Sequence, residues 1–111
     1  MSGSHITTHV LDAARGRPAS GVAVQLLTRD GDAWQPIAEA VTDADGRASQ
    51  LGPERLAPGD YRLQFDTGAY FDAQGTPTFY PEAVLTFRVD ESHCHVPLLL
   101  SPFAYSTYRG S

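Results

Sequence analysis

The sequence predicts an all-β protein, an antiparallel β-sandwich of seven to eight short strands with one short helix, in a single domain spanning residues 1–111. Three observations carry that prediction. Apolar and polar residues alternate with period two along most of the chain, as half-buried strands require. Clusters of Gly, Asp, Ser and Pro interrupt the alternation at short, regular intervals. Only residues 67–75 carry a helical pattern. The length suits one two-layer core and is too short for two.

Residues 5–12 read as the first strand, with His5, Thr7, His9 and Leu11 on one face and Ile6, Thr8 and Val10 on the other. Residues 13–21 hold Arg15-Gly16-Arg17-Pro18 and Gly21, which is turn chemistry. Residues 22–29 form a second strand with Val22, Val24 and Leu26 on one face. Asp30-Gly31-Asp32 is a hairpin signal, so residues 34–42 return antiparallel. Asp43-Ala44-Asp45-Gly46-Arg47 is a tight turn leading into a short strand over 47–49. Its D-x-D-G string also opens calcium loops, but the later ligand positions and the closing Glu are missing, so it reads as a turn.

Residues 53–59 form a loop, and 60–66 a strand that points Tyr61, Leu63 and Phe65 inward. The helix over 67–75 takes Thr67 as its N-cap and Tyr70, Phe71 and Ala73 as its apolar side. Residues 76–81 are irregular, with two prolines. Residues 82–90 alternate again, Leu85, Phe87 and Val89 against Val84, Thr86 and Arg88. Asp90-Glu91-Ser92 turns the chain into a strand over 93–100. Ser101-Pro102 turns it once more into a last strand over 103–109, which is aromatic and β-branched and so expected to be packed.

Composition narrows the function classes. A formal net charge of -5 without a basic cluster argues against a nucleic-acid partner. No apolar run approaches the roughly 18–20 residues that span a bilayer. Residues 1–5 lack the basic and apolar regions of a secretory signal, and the single Cys94 excludes an internal disulfide. Together these readings predict a cytoplasmic protein.

Strand parity then selects residues for chemistry. If Val96, Leu98 and Leu100 fill the core, His95 points outward beside Pro97 and Leu99, and His9 points outward beside Leu11. Such a face suggests an interface or a lined cavity. Two imidazoles with Arg47 or Arg109 supply a general base, a second proton carrier and an oxyanion stabiliser. His93 and His95 on one side of a strand, with His9 as a third donor, also admit a zinc reading, but no further ligand stands at clear spacing, and no metal is assigned. Cys94 alternates onto the core face and reads as an inert thiol. In the last strand, Ser106 and Tyr108 oppose Phe103, Tyr105 and Thr107, and parity alone leaves both faces open as the core side. Phosphate loops, nucleophile elbows and paired-carboxylate signatures are absent.

The two ends together resemble a known family. His9-Val10-Leu11-Asp12 with Arg15-Gly16-Arg17-Pro18-Ala19, and Ser101-Pro102-Phe103 with Tyr105-Ser106-Thr107, are similar to the N- and C-terminal signatures of transthyretin-like proteins. That family holds hormone carriers and 5-hydroxyisourate hydrolases. His9, Arg47, His95 and the ending Tyr108-Arg109-Gly110-Ser111 match the hydrolase branch, where carriers have lysine, glutamate, threonine and a longer tail. His93-Cys94-His95 departs from the branch's common His-Tyr-His between matched positions.

The resemblance implies a transthyretin-like sandwich that assembles as a homotetramer, a dimer of dimers, with sites lining a central channel at the dimer–dimer interface. It implies hydrolysis of 5-hydroxyisourate to 2-oxo-4-hydroxy-4-carboxy-5-ureidoimidazoline in urate degradation, without a cofactor. His9 and His95 then position and deprotonate water, and Arg47 binds the anionic substrate and the developing oxyanion. Tyr108 shapes the pocket floor, and Ser111, through its hydroxyl or carboxylate, orients water or substrate. A carrier of a planar aromatic ligand on the same fold is the alternative; a monomeric structural sandwich module is a second.

Overall fold

Two sheets pack face to face in a computed structural model that describes residues 3–111; Met1 and Ser2, part of the leader reading, lie outside the described residues. The elements run β1 (Ile6–Asp12), β2 (Arg17–Pro18), β3 (Ala23–Asp30), β4 (Ala33–Val41), β5 (Arg47–Ala48), β6 (Gly59–Phe65), α1 (Thr67–Asp72), β7 (Ala83–Val89), β8 (Cys94–Ser101) and β9 (Ala104–Thr107). One sheet has the order β4-β3-β6-β7, antiparallel throughout. The other has the order β2-β1-β8-β9, with β5 also paired to β1.

Five local expectations change. A two-residue strand, β2, lies within the stretch read as a turn. β1 pairs β8 in parallel, from Ile6 with Cys94 to Asp12 with Leu100, so the sandwich is not wholly antiparallel. A parallel pair needs a long crossover, and here nearly the whole of the other sheet supplies it. The helix is capped by Asp66, whose carboxylate accepts from the Ala69 N–H, while Thr67 donates its hydroxyl to the Tyr80 carbonyl. α1 ends at Asp72, short of the expected Gly75. His5 precedes β1 and turns inward, although alternation assigned it to the face of Thr7 and His9.

The core lies between the sheets. Ile6 and Val10 of β1 and Val96, Leu98 and Leu100 of β8 meet Val24 and Leu26 of β3, Leu63 and Phe65 of β6, and Leu85 and Val89 of β7. Each fully buried side chain of this kind stabilises the fold by about 1.5–3 kcal/mol. Phe71 of α1 closes one end, and Tyr61, Leu63 and Phe65 point inward as their alternation requires.

Buried polar groups are matched. Asp12 accepts from the Ala14 and Arg15 N–H groups through Oδ1 and from the Tyr70 hydroxyl at 2.8 Å through Oδ2. His5 Nδ1 accepts from the Leu56 N–H, and its Nε2 lies 2.8 Å from the Ser92 carbonyl and 3.1 Å from that of Asp90. A ring that accepts at Nδ1 and faces carbonyls at Nε2 carries its proton on Nε2. Among the described residues no helix is long and apolar enough to cross a membrane.

Candidate active site

Register decides which side chains meet. β1 and β8 put Ile6, Val10, Val96 and Leu98 toward the core, so Thr7, His9 and Leu11 share the outer face with His95, Pro97 and Leu99. Thr7 lies opposite His95, and His9 opposite Pro97. On the far edge of β1, β5 sets Arg47 opposite His9 and Ala48, which is buried, opposite Thr8. His9, Arg47 and His95 therefore stand on one outward face of one sheet, as parity predicted for the histidines.

The turn before β5 builds half of this arrangement. Asp43 Oδ1 accepts from the N–H groups of Asp45 and Arg47, and the Gly46 N–H donates to the Asp43 carbonyl. The acidic string thus satisfies its own turn. Gly46 has φ +77°, and a Cβ there would run into the Val10 carbonyl oxygen, so the turn presses against β1 only with glycine in that place. The Val10 N–H donates to the Gly46 carbonyl at 2.7 Å, tying the turn down. It also presents the Asp45 carbonyl to His9 Nε2 at 2.8 Å. A carbonyl only accepts, so Nε2 of His9 carries a proton and Nδ1 is its other available atom.

His95 is half-buried, with Nδ1 at 2.8 Å from the Thr7 hydroxyl. Desolvation, followed by the nearby charges of Arg47, His9 and His93, pushes its pKa below the ordinary 6.5; the Thr7 backbone opposes them. A neutral imidazole is a ready proton acceptor. Arg47 is exposed, and among the described residues no carboxylate lies within ion-pair distance of its guanidinium. Asp43, held by backbone N–H groups and drawn by Arg47 and His9, stays below the usual carboxylate range.

The tail runs along β8. Register places Tyr105 and Thr107 opposite Leu100 and Leu98 on the core side and Ser106 opposite Leu99 on the outer side, which resolves the face that alternation left open. Beyond β9 the Gly110 N–H donates to the His95 carbonyl at 2.8 Å, and a Cβ on Gly110 would stand 2.7 Å from Cδ2 of the His95 ring. Only a glycine lets the tail lie this close. Tyr108 is exposed and borders, with Arg109, a cleft of about 330 Å³ between β7 and β8 that also includes Cys94. Ser111 is exposed next to the bridge. Burial raises the Cys94 thiol's pKa, as expected for an inert thiol.

Thr7 is the residue that alternation alone did not single out. Its hydroxyl lies 2.8 Å from His95 and 3.1 Å from His93 Nε2. The only available signal was its place two residues before His9 on the same face. Among the described residues no group of three His, Cys, Asp or Glu gathers as a metal site, and His9, His93 and His95 do not converge on one point.

The chain's similarity to known proteins covers nearly its whole length. The profile of the HIUase/Transthyretin family matches residues 6–110. A 5-hydroxyisourate hydrolase of Caulobacter vibrioides is 51% identical over 117 residues, covering 100% of both chains. Among solved structures, 5-hydroxyisourate hydrolase of Klebsiella pneumoniae superposes with a TM-score of 0.86 at 39% identity, over 96% of this chain and 98% of that one. Sea bream transthyretin, in complex with thyroxine, superposes with a TM-score of 0.88 at 35% identity, over 95% and 93%.

Proposed function

This chain belongs to the HIUase/Transthyretin family, and on that premise we propose that it opens the ring of 5-hydroxyisourate with water, giving 2-oxo-4-hydroxy-4-carboxy-5-ureidoimidazoline in urate degradation. It is an enzyme, a hydrolase, and residues 1–111 act as one domain in this reading. The observation that carries it is the meeting on one sheet face of two half-buried imidazoles and a guanidinium that, among the described residues, forms no ion pair. That trio suits attack of water on a carbonyl of an anionic substrate.

His9 and His95 position the water and take its proton. Arg47 binds the anionic substrate and the oxygen on which charge develops; among the described residues no carboxylate stands within ion-pair distance of it, so its donors are available. In this reading Tyr108 shapes the pocket floor, although within one chain it borders the cleft beside Cys94 and not the face of His9 and His95; Ser111, through its hydroxyl or carboxylate, orients water or substrate. No cofactor enters the scheme. A cytoplasmic homotetramer, a dimer of dimers with this face lining a central channel, accounts for Leu11 and Leu99 on an outward face and for exposed Phe79 and Phe103.

A carrier built on the same fold is the alternative, and the likeness to a thyroxine-bound transthyretin leaves it open on fold alone. The charged, proton-exchanging character of the face favours hydrolysis. The test is the absorbance decay of 5-hydroxyisourate freshly made from urate, with and without the protein, in the presence and absence of chelator. Accelerated, chelator-insensitive decay that His9→Ala, Arg47→Ala or His95→Ala lowers by about 10²-fold or more supports the scheme. Folded variants with wild-type turnover overturn the roles. Light scattering that gives a mass other than four chains overturns the tetramer.

A further inference from the structure

One hydroxyl between two imidazoles cannot serve both in the same way. Thr7 Oγ1 lies 2.8 Å from His95 Nδ1 and 3.1 Å from His93 Nε2, and it has one proton to give. When it donates to His93 it accepts from His95 Nδ1–H, and His95 Nε2 is then free of a proton. When it donates to His95, the His93 Nε2–H donates to it, and the His95 proton sits on Nε2. The tautomers of the two rings are therefore linked through Thr7. His9 has no such freedom, because its Nε2 faces a backbone carbonyl.

The far end of the chain is wet. His93 is exposed and lines a cleft of about 340 Å³ with Ser4, His5, Thr7, Glu54, Arg55 and Glu91. The near end is half-buried, beneath the Gly110 backbone and facing Arg47 and His9. We propose that Thr7 and His93 are positioning residues for the hydrolytic reaction, forming a proton relay that sets and resets the tautomer of His95. The proposal rests on the hydrolase reading and assigns His95, rather than His9, as the group that takes the proton of water.

Written out, the resting chain is His95 Nδ1–H to Thr7 Oγ1 and Thr7 O–H to His93 Nε2. As water adds to the carbonyl carbon, its proton passes to His95 Nε2 and the carbonyl π pair moves onto oxygen. The His95 Nδ1 proton moves to Thr7, and the Thr7 proton to His93 Nε2. His95 stays neutral, now with Nε2–H, and the charge sits on exposed His93. Collapse of the tetrahedral species breaks the C–N bond; the leaving nitrogen takes the Nε2 proton, and the relay runs back. Water is consumed, and the protein returns to its first state. The charged and titratable groups bearing on this chain are Arg47 of β5 and His9 of β1 at the His95 end, with Glu91, Glu54, Arg55 and the neutral His5 ring around His93.

The experiment compares Thr7→Val, Thr7→Ser and His93→Gln with the full wild-type chain on freshly made 5-hydroxyisourate. Folding and oligomeric mass are checked for each, and imidazole nitrogen shifts are recorded against pH. Thr7→Val is expected to lower kcat about 10–100-fold with KM changed by less than about threefold. Thr7→Ser restores kcat to within about threefold of wild type, and His93→Gln loses about tenfold. In the wild type, His95 rests as the Nδ1–H tautomer and its shifts respond to the titration of His93; Thr7→Val abolishes that response. A folded Thr7→Val variant with wild-type kcat and pH profile overturns the relay, as does a Thr7→Ser variant no better than valine, which would mark a packing role. If Thr7→Val does not fold, unlinked titration of His93 and His95 in the wild type is sufficient to overturn it. A wild-type chain that does not accelerate decay at all sinks the hydrolase reading instead, and the nitrogen shifts still judge the linkage.

Discussion

Replacing Gly110 with alanine tests whether the tail holds His95 in place. The added methyl would stand 2.7 Å from Cδ2 of the ring, about 0.8 Å short of the roughly 3.5 Å at which two carbons rest. The residue is not at positive φ, so alanine fits the backbone there and the clash with the ring is the main perturbation. Relief comes by displacing the imidazole or by lifting the tail and losing the bond from the Gly110 N–H to the His95 carbonyl. Misplacement of a reacting group by about 1 Å costs on the order of 10²-fold. A shift of this size should therefore lower kcat/KM by about 10–100-fold, or about 1.4–2.7 kcal/mol. Stability should change by less than about 1 kcal/mol, since Gly→Ala also restricts the unfolded chain. The assays are decay of freshly generated 5-hydroxyisourate and urea unfolding on the same preparation. Wild-type kcat/KM in a folded Gly110→Ala variant would refute the reasoning.

Other consequences follow from single contacts. Because His95 is shifted below 6.5, the acid limb of the kcat/KM profile should lie below that value, and Arg47→Ala should move it to higher pH in whatever activity remains; an unmoved limb would show that another group titrates. The same shift makes the stability that His95 contributes complete above about pH 6.5, the unfolded value, and lost as pH falls toward the folded one, measurable as a falling urea midpoint. Tyr70→Phe strips the buried Asp12 carboxylate of its partner on Oδ2 and should cost about 1–3 kcal/mol; an unchanged midpoint would mean that water replaces the phenol. His5→Ala removes a buried ring bonded to the backbone near three loop positions and should cost about 2–4 kcal/mol, with a loss under about 1 kcal/mol counting against it.

Alternation carried the reading a long way, because period-two burial is a local property. It put His9 and His95 outward, Cys94 inward and Tyr61, Leu63 and Phe65 in the core, and the glycine after Asp45 located the turn before Arg47. What it missed depends on relations between distant segments. Nothing near Ile6 or Cys94 records that those strands run parallel, and the link from Thr7 to two histidines exists only once that register is known. His5 left its expected face because a chain entering a sheet turns toward the loops that can accept its polar ring. Asp66 displaced Thr67 as the cap because both carry a suitable oxygen and the choice rests on one residue of backbone phase. The family resemblance supplied the substrate, which no feature of periodicity contains.

The parallel pairing of β1 with β8 has a consequence for the newly made chain. β3, β4, β6 and β7 come from one interval of sequence, 23–89, and their antiparallel neighbours need no residue outside it. The sheet bearing His9, Arg47 and His95 instead joins residue 6 to residue 94 and beyond. On a ribosome adding about 5–20 residues per second, the first sheet has its full complement of strands seconds before the second can close. Until β8 emerges, β1 carries Ile6 and Val10 without its central neighbour, a segment for chaperones to guard. The reactive face is thus the last part of the molecule to exist, and no partly synthesised chain displays it.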